Sequence, residues 1–334
     1  AAYCTGYDLG SSITVTGEGS ILGRDLSDAC RAIRSAGGEC SSEKEGYLPF
    51  TVSQGIRGGE VIISGRESSQ TVSGLLMTLP LLQQDSVLRV TEPASTPYID
   101  LTVDTISRFG ISIERSTDGN DLIFQIAGRQ EYSPTDIFLE PDWSSASIFA
   151  VAYAIASSLQ GGKYLLQNMR IGTKQADEAV LEVLKTAGAD IEIAPSGELS
   201  NIYISAPNGL VGFEFDATNG PDLFPILTIL AMFSKGRSAI RGVGRLLQKE
   251  SNRAESIFTE FSSIGGRIEI MDDTMYIDGG LAKMKHKGDF NLRSHNDHRI
   301  AMSLIVASLF IQTPVYIDQL HCIDKSFPTF IERL

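Results

Sequence analysis

The chain lacks most of the short markers that announce a chemistry. Its 334 residues include four cysteines and four histidines. Cys4, Cys30, Cys40 and Cys322 show no CxxC or CxxH spacing, which argues against structural zinc and fits free thiols in a reducing compartment. Four histidines without ligand spacing do not make a metal site, so no metal is expected. Glycine-rich loops of the GxGxxG and P-loop kinds are absent, and spacing gives no Ser–His–Asp order. Apolar runs fall short of the roughly 18 residues of a membrane span. The opening stretch AAYCTGYDLG has no basic region of a signal peptide. Basic residues are a minority: 28 Lys and Arg against 41 Asp and Glu leave a net charge of −13. That balance argues against a nucleic-acid or membrane-surface partner, and a cytoplasmic protein is expected. An anionic small molecule is not excluded, because a local basic cluster in a cleft outweighs a distant field.

What is present is apolar and periodic. Apolar residues make up 42% of the chain, enough for two domains with substantial cores. Four stretches share a short strand, a turn of small polar residues and an apolar helix: GGEVIISGRESSQTVSGLLMTLPLL, DIFLEPDWSSASIFAVAYAIAS, GFEFDATNGPDLFPILTILAMF and DFNLRSHNDHRIAMSLIVASLF. Ser69, Ser145, Asp222 and Asp297 are equivalent in this alignment, which puts the repeat at about 76 residues. Each unit continues with a strand, an amphipathic helix ending at Gly110, Gly188 or Gly265, and two alternating strands. The pattern reads β-α-β-α-β-β, and packed α/β subdomains fit it better than a solenoid. The first helix of each unit is apolar nearly all round and should be buried, while the second should face solvent. Residues 1–55 hold only the last half of a unit, and the final unit stops after FPTFIERL. Ala1 falls inside what should be a helix, so upstream sequence is expected to be missing.

The repeat turns carry ESSQ, DWSSAS, NGPD and HNDHR, each at the start of an apolar helix. Free N–H groups and the positive dipole end gather there and favour anions. Arg24, Lys249, Arg253, Arg299 and Lys325 lie in loops that would reinforce such a cleft. Plain helix caps account for Ser68 to Gln70 and for Asp222 equally well, and a solvated face accounts for the run from Gln248 to Arg253. HNDHR is harder to dismiss. A cap needs one Asn or Asp, whereas His298 and Arg299 against an apolar run cost desolvation unless partnered.

The stretches ESSQTVSGLLMTLPLL, STPYIDLT, DWSSASIFA, QKESNRAESIFTEFSSIGG, SHNDHRIAM and CIDKSFPTFIERL, in order from about Thr16 to Leu334, resemble the EPSP synthase family. The resemblance implies a two-domain inside-out α/β barrel of β-α-β-α-β-β units. It divides the chain into 1–140, a partial first domain, and 141–334, the second, with a hinge near Pro141 to Trp143. It implies transfer of the enolpyruvyl group of phosphoenolpyruvate to the 5-hydroxyl of shikimate 3-phosphate, without cofactor, by a monomer. Carried over by motif, Ser68, Ser69, Gln70, Ser95 and Tyr98 would bind shikimate 3-phosphate, and Gln70 would also touch phosphoenolpyruvate. Arg24, Arg253, Arg299 and Lys325 would hold the phosphoenolpyruvate carboxylate and phosphate. Asp222 would accept the hydroxyl proton, and Glu250 would exchange a proton with the methylene carbon. Lys249 would contact the substrate hydroxyl and the reacting oxygens, and His298 would support the phosphate side.

The sequence departs from the family pattern at Arg245, where Asn is usual, at Asn252 in KESNR, at Asp25 after Arg24, and at Trp143 in PDWSSAS. The family's N-terminal Lys-Ser-x-x-x-Arg and Asn-x-Gly-Thr motifs are absent, so the chain by itself is expected to be inactive. Two alternatives stand beside this reading. One is the UDP-N-acetylglucosamine enolpyruvyl transferase of the same fold, which carries a reactive Cys five residues before the equivalent arginine. Gly19 holds that place here. The other is a non-catalytic fragment or interaction domain built from the same repeats.

Overall fold

The computed structural model describes residues 12–66, 68–247, 249–281 and 288–334. Expectations that touch Ala1, Cys4, Glu67 and Gln248 lie outside the described residues. The chain divides into two compact units, Ala1–Phe138 and Leu139–Leu334.

The first unit opens with β1 (Ile13–Val15), α1 (Ser27–Ser35), β2 (Glu39–Ser42) and β3 (Phe50–Gln54), whose strands form an antiparallel sheet in the order β1-β3-β2. One full repeat follows: β4 (Gly59–Ser64), α2 (Ser69–Thr78), β5 (Ser86–Thr91), α3 (Thr96–Arg108), β6 (Glu114–Asp118) and β7 (Asp121–Ile126). Its sheet runs β4-β5-β7-β6, with β4 parallel to β5 and the other pairs antiparallel. Side-chain alternation sets the faces. Val61 and Ile63 of β4 are buried, whereas Ile62 between them is exposed. They pack with Val72, Leu76, Leu88, Val90, Ile99 and Phe124.

The free-thiol expectation is corrected here. Cys30 on α1 and Cys40 on β2 are paired as a disulfide, with Cα atoms 5.5 Å apart. The α1–β2 turn folds back at Gly37, whose φ of 80° brings the two positions into bridging range. Cys322 is free and buried.

The second unit holds α4 (Trp143–Gln160), β8 (Tyr164–Met169), α5 (Val180–Thr186), β9 (Asp190–Ser196) and β10 (Leu199–Ser205), with the sheet in the order β8-β10-β9. Next come β11 (Glu214–Asp216), α6 (Phe224–Phe233), β12 (Arg237–Arg241), α7 (Arg253–Ser263), β13 (Arg267–Met271) and β14 (Thr274–Asp278), in the order β11-β12-β14-β13. The unit closes with β15 (Phe290–Leu292), α8 (His298–Ser308), β16 (Val315–Ile317) and α9 (Phe330–Arg333), with β15 parallel to β16. Helices α4, α6 and α8 pack on one another. Every residue of α6 is buried, as an all-round apolar sequence requires.

Two expectations change. The strand foreseen over DIFLE does not form: residues 136–140 lie outside any helix or sheet, with Phe138 60% and Leu139 77% exposed. A strand needs a ladder partner, and these residues straddle the division between units. Helix α2 was expected to be buried on every side. Only Val72, Leu75, Leu76 and Thr78 of it are buried, and Met77 is 42% exposed. The glycine stops do form, since Gly110, Gly188 and Gly265 have φ of 89°, 90° and 102°. A left-handed residue there ends each helix without a Cβ clash.

Candidate active site

Parallel pairing decides where the polar turns go. Because β11 runs parallel to β12, the segments leaving them, with Asp222 and with Lys249 to Arg253, emerge at one end of the sheet. The parallel pair β15 and β16 likewise sends the Ser294–Asp297 turn and the 3-10 turn Leu320–Lys325 to one end. Asp297 is the N-cap of α8, and its carboxylate accepts the Arg299 backbone N–H at 3.0 Å. Arg253 opens α7, capped by Asn252, whose side chain accepts the Glu255 N–H. Asn caps as well as Asp does, so the departure at 252 leaves the local structure intact.

Arg253 is the hub. Its side chain is fully buried. Nε donates to Asp297 Oδ2 at 2.9 Å, Nη1 to Asp222 Oδ1 at 2.8 Å, and Nη2 to Glu250 Oε2 at 2.6 Å. Buried charge on this scale persists only when partnered, and three carboxylates partner it. Asp222 also faces Arg299 Nη2 at 3.1 Å and Lys249 Nζ at 3.5 Å. Three cations thus surround one carboxylate. Asp222, Glu250 and Lys249 keep about a quarter of their side chains exposed, at 26%, 26% and 25%. Asp297, by contrast, is fully buried.

The charges follow from this geometry. Burial pushes the Asp222 carboxyl upward, but Arg299, Lys249 and Arg253 outweigh it and hold the group far below the usual carboxylate range. Asp297 is lowered in the same way: burial opposes and Arg253 prevails. Burial works against charge on Arg253 too, and Asp297 and Asp222 more than restore it. The Lys249 ammonium is lowered by burial, with Asp222 opposing and Arg253 and Arg245 adding to the fall. His298 is lowered by burial and by Arg299, which favours a neutral ring. Its Nδ1 is buried and hydrogen-bonds no described residue.

Four residues of the HNDHR turn each hold a partner. His295 and Asn296 both adopt positive φ, 53° and 54°, which bends the chain sharply before the helix. The His295 ring meets buried Glu260 at 2.8 Å. Asn296 Oδ1 accepts Lys325 Nζ at 3.0 Å. Asp297 caps and holds Arg253, and Arg299 reaches Asp222 and Ser144. Asn296, Asp297, Ser144 and Asp177 were not foreseen as site residues. Asp177 was hidden because it lies in a segment read as a solvent-facing helix, yet it is 1% exposed.

Asp222, Lys249, Glu250, Arg253, His298, Arg299 and Lys325 all belong to the second unit. The other candidates belong to the first. Ser68 caps α2, its side chain accepting the Gln70 N–H at 3.1 Å, with Ser69 and Gln70 in the opening turn. Ser95 is buried with φ 53° at the start of α3, and Tyr98 N–H donates to its carbonyl at 3.1 Å. The β4 and β5 strands are parallel, so these two helix starts also emerge at one end of their sheet. Arg24 follows the 3-10 turn Gly19–Gly23. Trp143 is fully buried at the start of α4, and its Nε1 donates to the Arg170 carbonyl at 2.8 Å. Pro141 and Trp143 are both bonded to Gln175, which ties this stretch into the second unit. Among the described residues, no group of three or more His, Cys, Asp or Glu could hold a metal ion.

Residues 2–334 match the family model for EPSP synthase (3-phosphoshikimate 1-carboxyvinyltransferase). A 3-phosphoshikimate 1-carboxyvinyltransferase of Methanococcus maripaludis is 32% identical over 324 residues, spanning 96% of this chain and 72% of the relative. One from Clostridium novyi is 34% identical over 320 residues, 95% of this chain and 69% of the relative. Among solved structures, EPSP synthase from Acinetobacter baumannii aligns with a TM-score of 0.73 at 26% identity, covering 96% of this chain and 72% of that one. The enolpyruvyl transferase NikO from Streptomyces tendae aligns with a TM-score of 0.70 at 16% identity, a likeness of fold alone.

Proposed function

The chain belongs to the EPSP synthase (3-phosphoshikimate 1-carboxyvinyltransferase) family, and from that premise we propose how its residues serve the reaction. The protein transfers the enolpyruvyl group of phosphoenolpyruvate to the 5-hydroxyl of shikimate 3-phosphate and releases phosphate. The hydroxyl oxygen bonds to C2 of phosphoenolpyruvate while a proton reaches its methylene carbon. The bond to phosphate then breaks as that carbon gives a proton back.

The observation that carries the assignment of roles is Asp222 ringed by Arg253, Arg299 and Lys249. Three cations around one carboxylate make a weak base at rest. Phosphoenolpyruvate brings a carboxylate and a phosphate that compete for Arg299 and Lys249, both partly exposed. As those cations turn to the ligand, Asp222 loses their stabilisation and gains basicity. Arg253 holds Asp222 and Glu250 on one guanidinium, which fixes the two carboxylates close together. Asp222 takes the hydroxyl proton, and Glu250 serves the methylene carbon. Lys325, held by Asn296, joins Arg299 on the anions of phosphoenolpyruvate. Neutral His298 supports the phosphate. Arg253 was expected to clamp phosphoenolpyruvate directly; its full burial and carboxylate partners favour the role of anchor instead.

Ser68, Ser69, Gln70, Ser95 and Tyr98 of the first unit are proposed to take shikimate 3-phosphate, and Gln70 and Arg24 to contribute to phosphoenolpyruvate. A working monomer in the cytoplasm completes the proposal. In favour of the monomer, one chain supplies the whole Arg253 cluster.

The test is phosphate release by the full-length protein. Release requires both substrates, and Asp222→Asn lowers kcat by roughly 10²–10⁴. Release that is independent of shikimate 3-phosphate, or an Asp222→Asn variant with full kcat, contradicts the assignment.

A further inference from the structure

Asp177 is a buried carboxyl to which the reaction gives no task. It is 1% exposed, in the 3-10 turn Ala176–Ala179 that leads into α5. Its Oδ2 accepts a hydrogen bond from the Ser144 hydroxyl. That hydroxyl in turn accepts Arg299 Nη2 at 2.7 Å. Its other oxygen, Oδ1, makes no hydrogen bond to any described residue. Oδ1 instead lies against Gly220, where a Cβ would stand 3.4 Å from it, two residues before Asp222. One carboxyl therefore accepts from the hydroxyl that holds Arg299 and lies beside the turn that carries Asp222.

Local folding does not call for this arrangement. Asp142 already caps α4, its carboxylate accepting the N–H groups of Ser144 and Ser145. Burying a carboxyl with one oxygen unpaired is costly, and burial accordingly raises the acid's proton affinity against the opposing charge of Arg299. The return is orientation. A serine hydroxyl has one proton; committing it to Asp177 turns a lone pair toward Arg299. The guanidinium is then held from two sides, by Ser144 at 2.7 Å and by Asp222 at 3.1 Å. When phosphoenolpyruvate draws Arg299 from Asp222, the Ser144 contact remains and keeps the fork aimed.

We propose that Asp177 is a positioning residue for phosphoenolpyruvate, acting through the Ser144 hydroxyl on Arg299. The proposal rests on the assignment of Arg299 to phosphoenolpyruvate given above.

The experiment measures affinities of the full-length protein for phosphoenolpyruvate and for shikimate 3-phosphate by calorimetry, alongside both KM values. Asp177→Ala and Ser144→Ala are each expected to weaken phosphoenolpyruvate about tenfold and to leave shikimate 3-phosphate within about twofold. Asp177→Asn keeps an acceptor of the same shape and folds where the alanine variant fails to; it should retain phosphoenolpyruvate affinity within about threefold. Adding Asp177→Asn or Asp177→Ala to Arg299→Ala should cost less than about twofold more, because the three residues form one chain. Equal loss of both substrates, full additivity with Arg299→Ala, or an Asp177→Asn variant as weak as Asp177→Ala overturns the proposal. A wild-type protein that binds phosphoenolpyruvate yet releases no phosphate would sink the functional reading, while these affinities would still judge the positioning role.

Discussion

The sheet over residues 59–126 and the sheet over residues 214–278 are built in the same order, with one parallel pair, two antiparallel pairs and a helix start above each parallel strand. Their polar turns nevertheless differ in kind. The α2 turn presents neutral Ser68, Ser69 and Gln70, and a cap bond runs from the Gln70 N–H to the Ser68 hydroxyl. The α6 and α7 turns present Asp222, Lys249, Glu250 and Arg253, locked into an ion network with Asp297 and Arg299 of the α8 turn. The helix cores differ accordingly. Helix α6 is wholly buried, while α2 buries a single face. The same scaffold thus supports two solutions: a neutral tip that relies on N–H groups and hydroxyls, and a charged tip that must satisfy its own buried ions.

The strongest way to break this comparison is Arg253→Ala. It leaves Asp297 fully buried without its cation and takes one cation from Asp222 and from Glu250, and should cost about 3–5 kcal/mol in denaturant unfolding of the second unit. A loss near that of a surface substitution would show that the network is not structural.

Acid is the next probe. Asp297 and Asp222 have folded-state affinities for protons below the unfolded value of about 3.9. Their stabilisation is therefore complete above that value and is lost as pH falls through and below it. The second unit should lose stability progressively below about pH 4, and Asp297→Asn should flatten that slope while lowering stability at neutral pH. An unchanged slope would contradict the pairing with Arg253.

The smallest expected effect lies at the neutral tip. Ser68→Ala removes one cap bond and should cost about 1 kcal/mol, read as a modest fall in melting temperature of the first unit. A loss as large as that of Arg253→Ala would erase the distinction between the two tips.

Much of this was legible in the residues. The 76-residue spacing, the glycine stops and the apolar helices were sufficient for the β-α-β-α-β-β order, because periodicity and left-handed caps are local signals. DIFLE was misjudged because a strand depends on a partner that its own residues do not specify. The Cys30–Cys40 pair was missed because spacing does not reveal that a turn at Gly37 folds one cysteine onto the other. HNDHR was conspicuous because His and Arg beside an apolar run need partners. The partners themselves were not legible. Glu260, Ser144 and Asp177 are ordinary helix residues until tertiary packing aims them, and a buried Arg253 cannot be told from an exposed one in KESNR.

The claim at the centre is that the charged tips take phosphoenolpyruvate and the neutral tip takes shikimate 3-phosphate. It is tested most directly by measuring both KM values for Arg299→Ala and Ser69→Ala in the full-length protein. Arg299→Ala should raise the phosphoenolpyruvate KM roughly 10–100-fold and the shikimate 3-phosphate KM less than about threefold, and Ser69→Ala should show the reverse preference. Variants that raise both KM values by the same factor would contradict it.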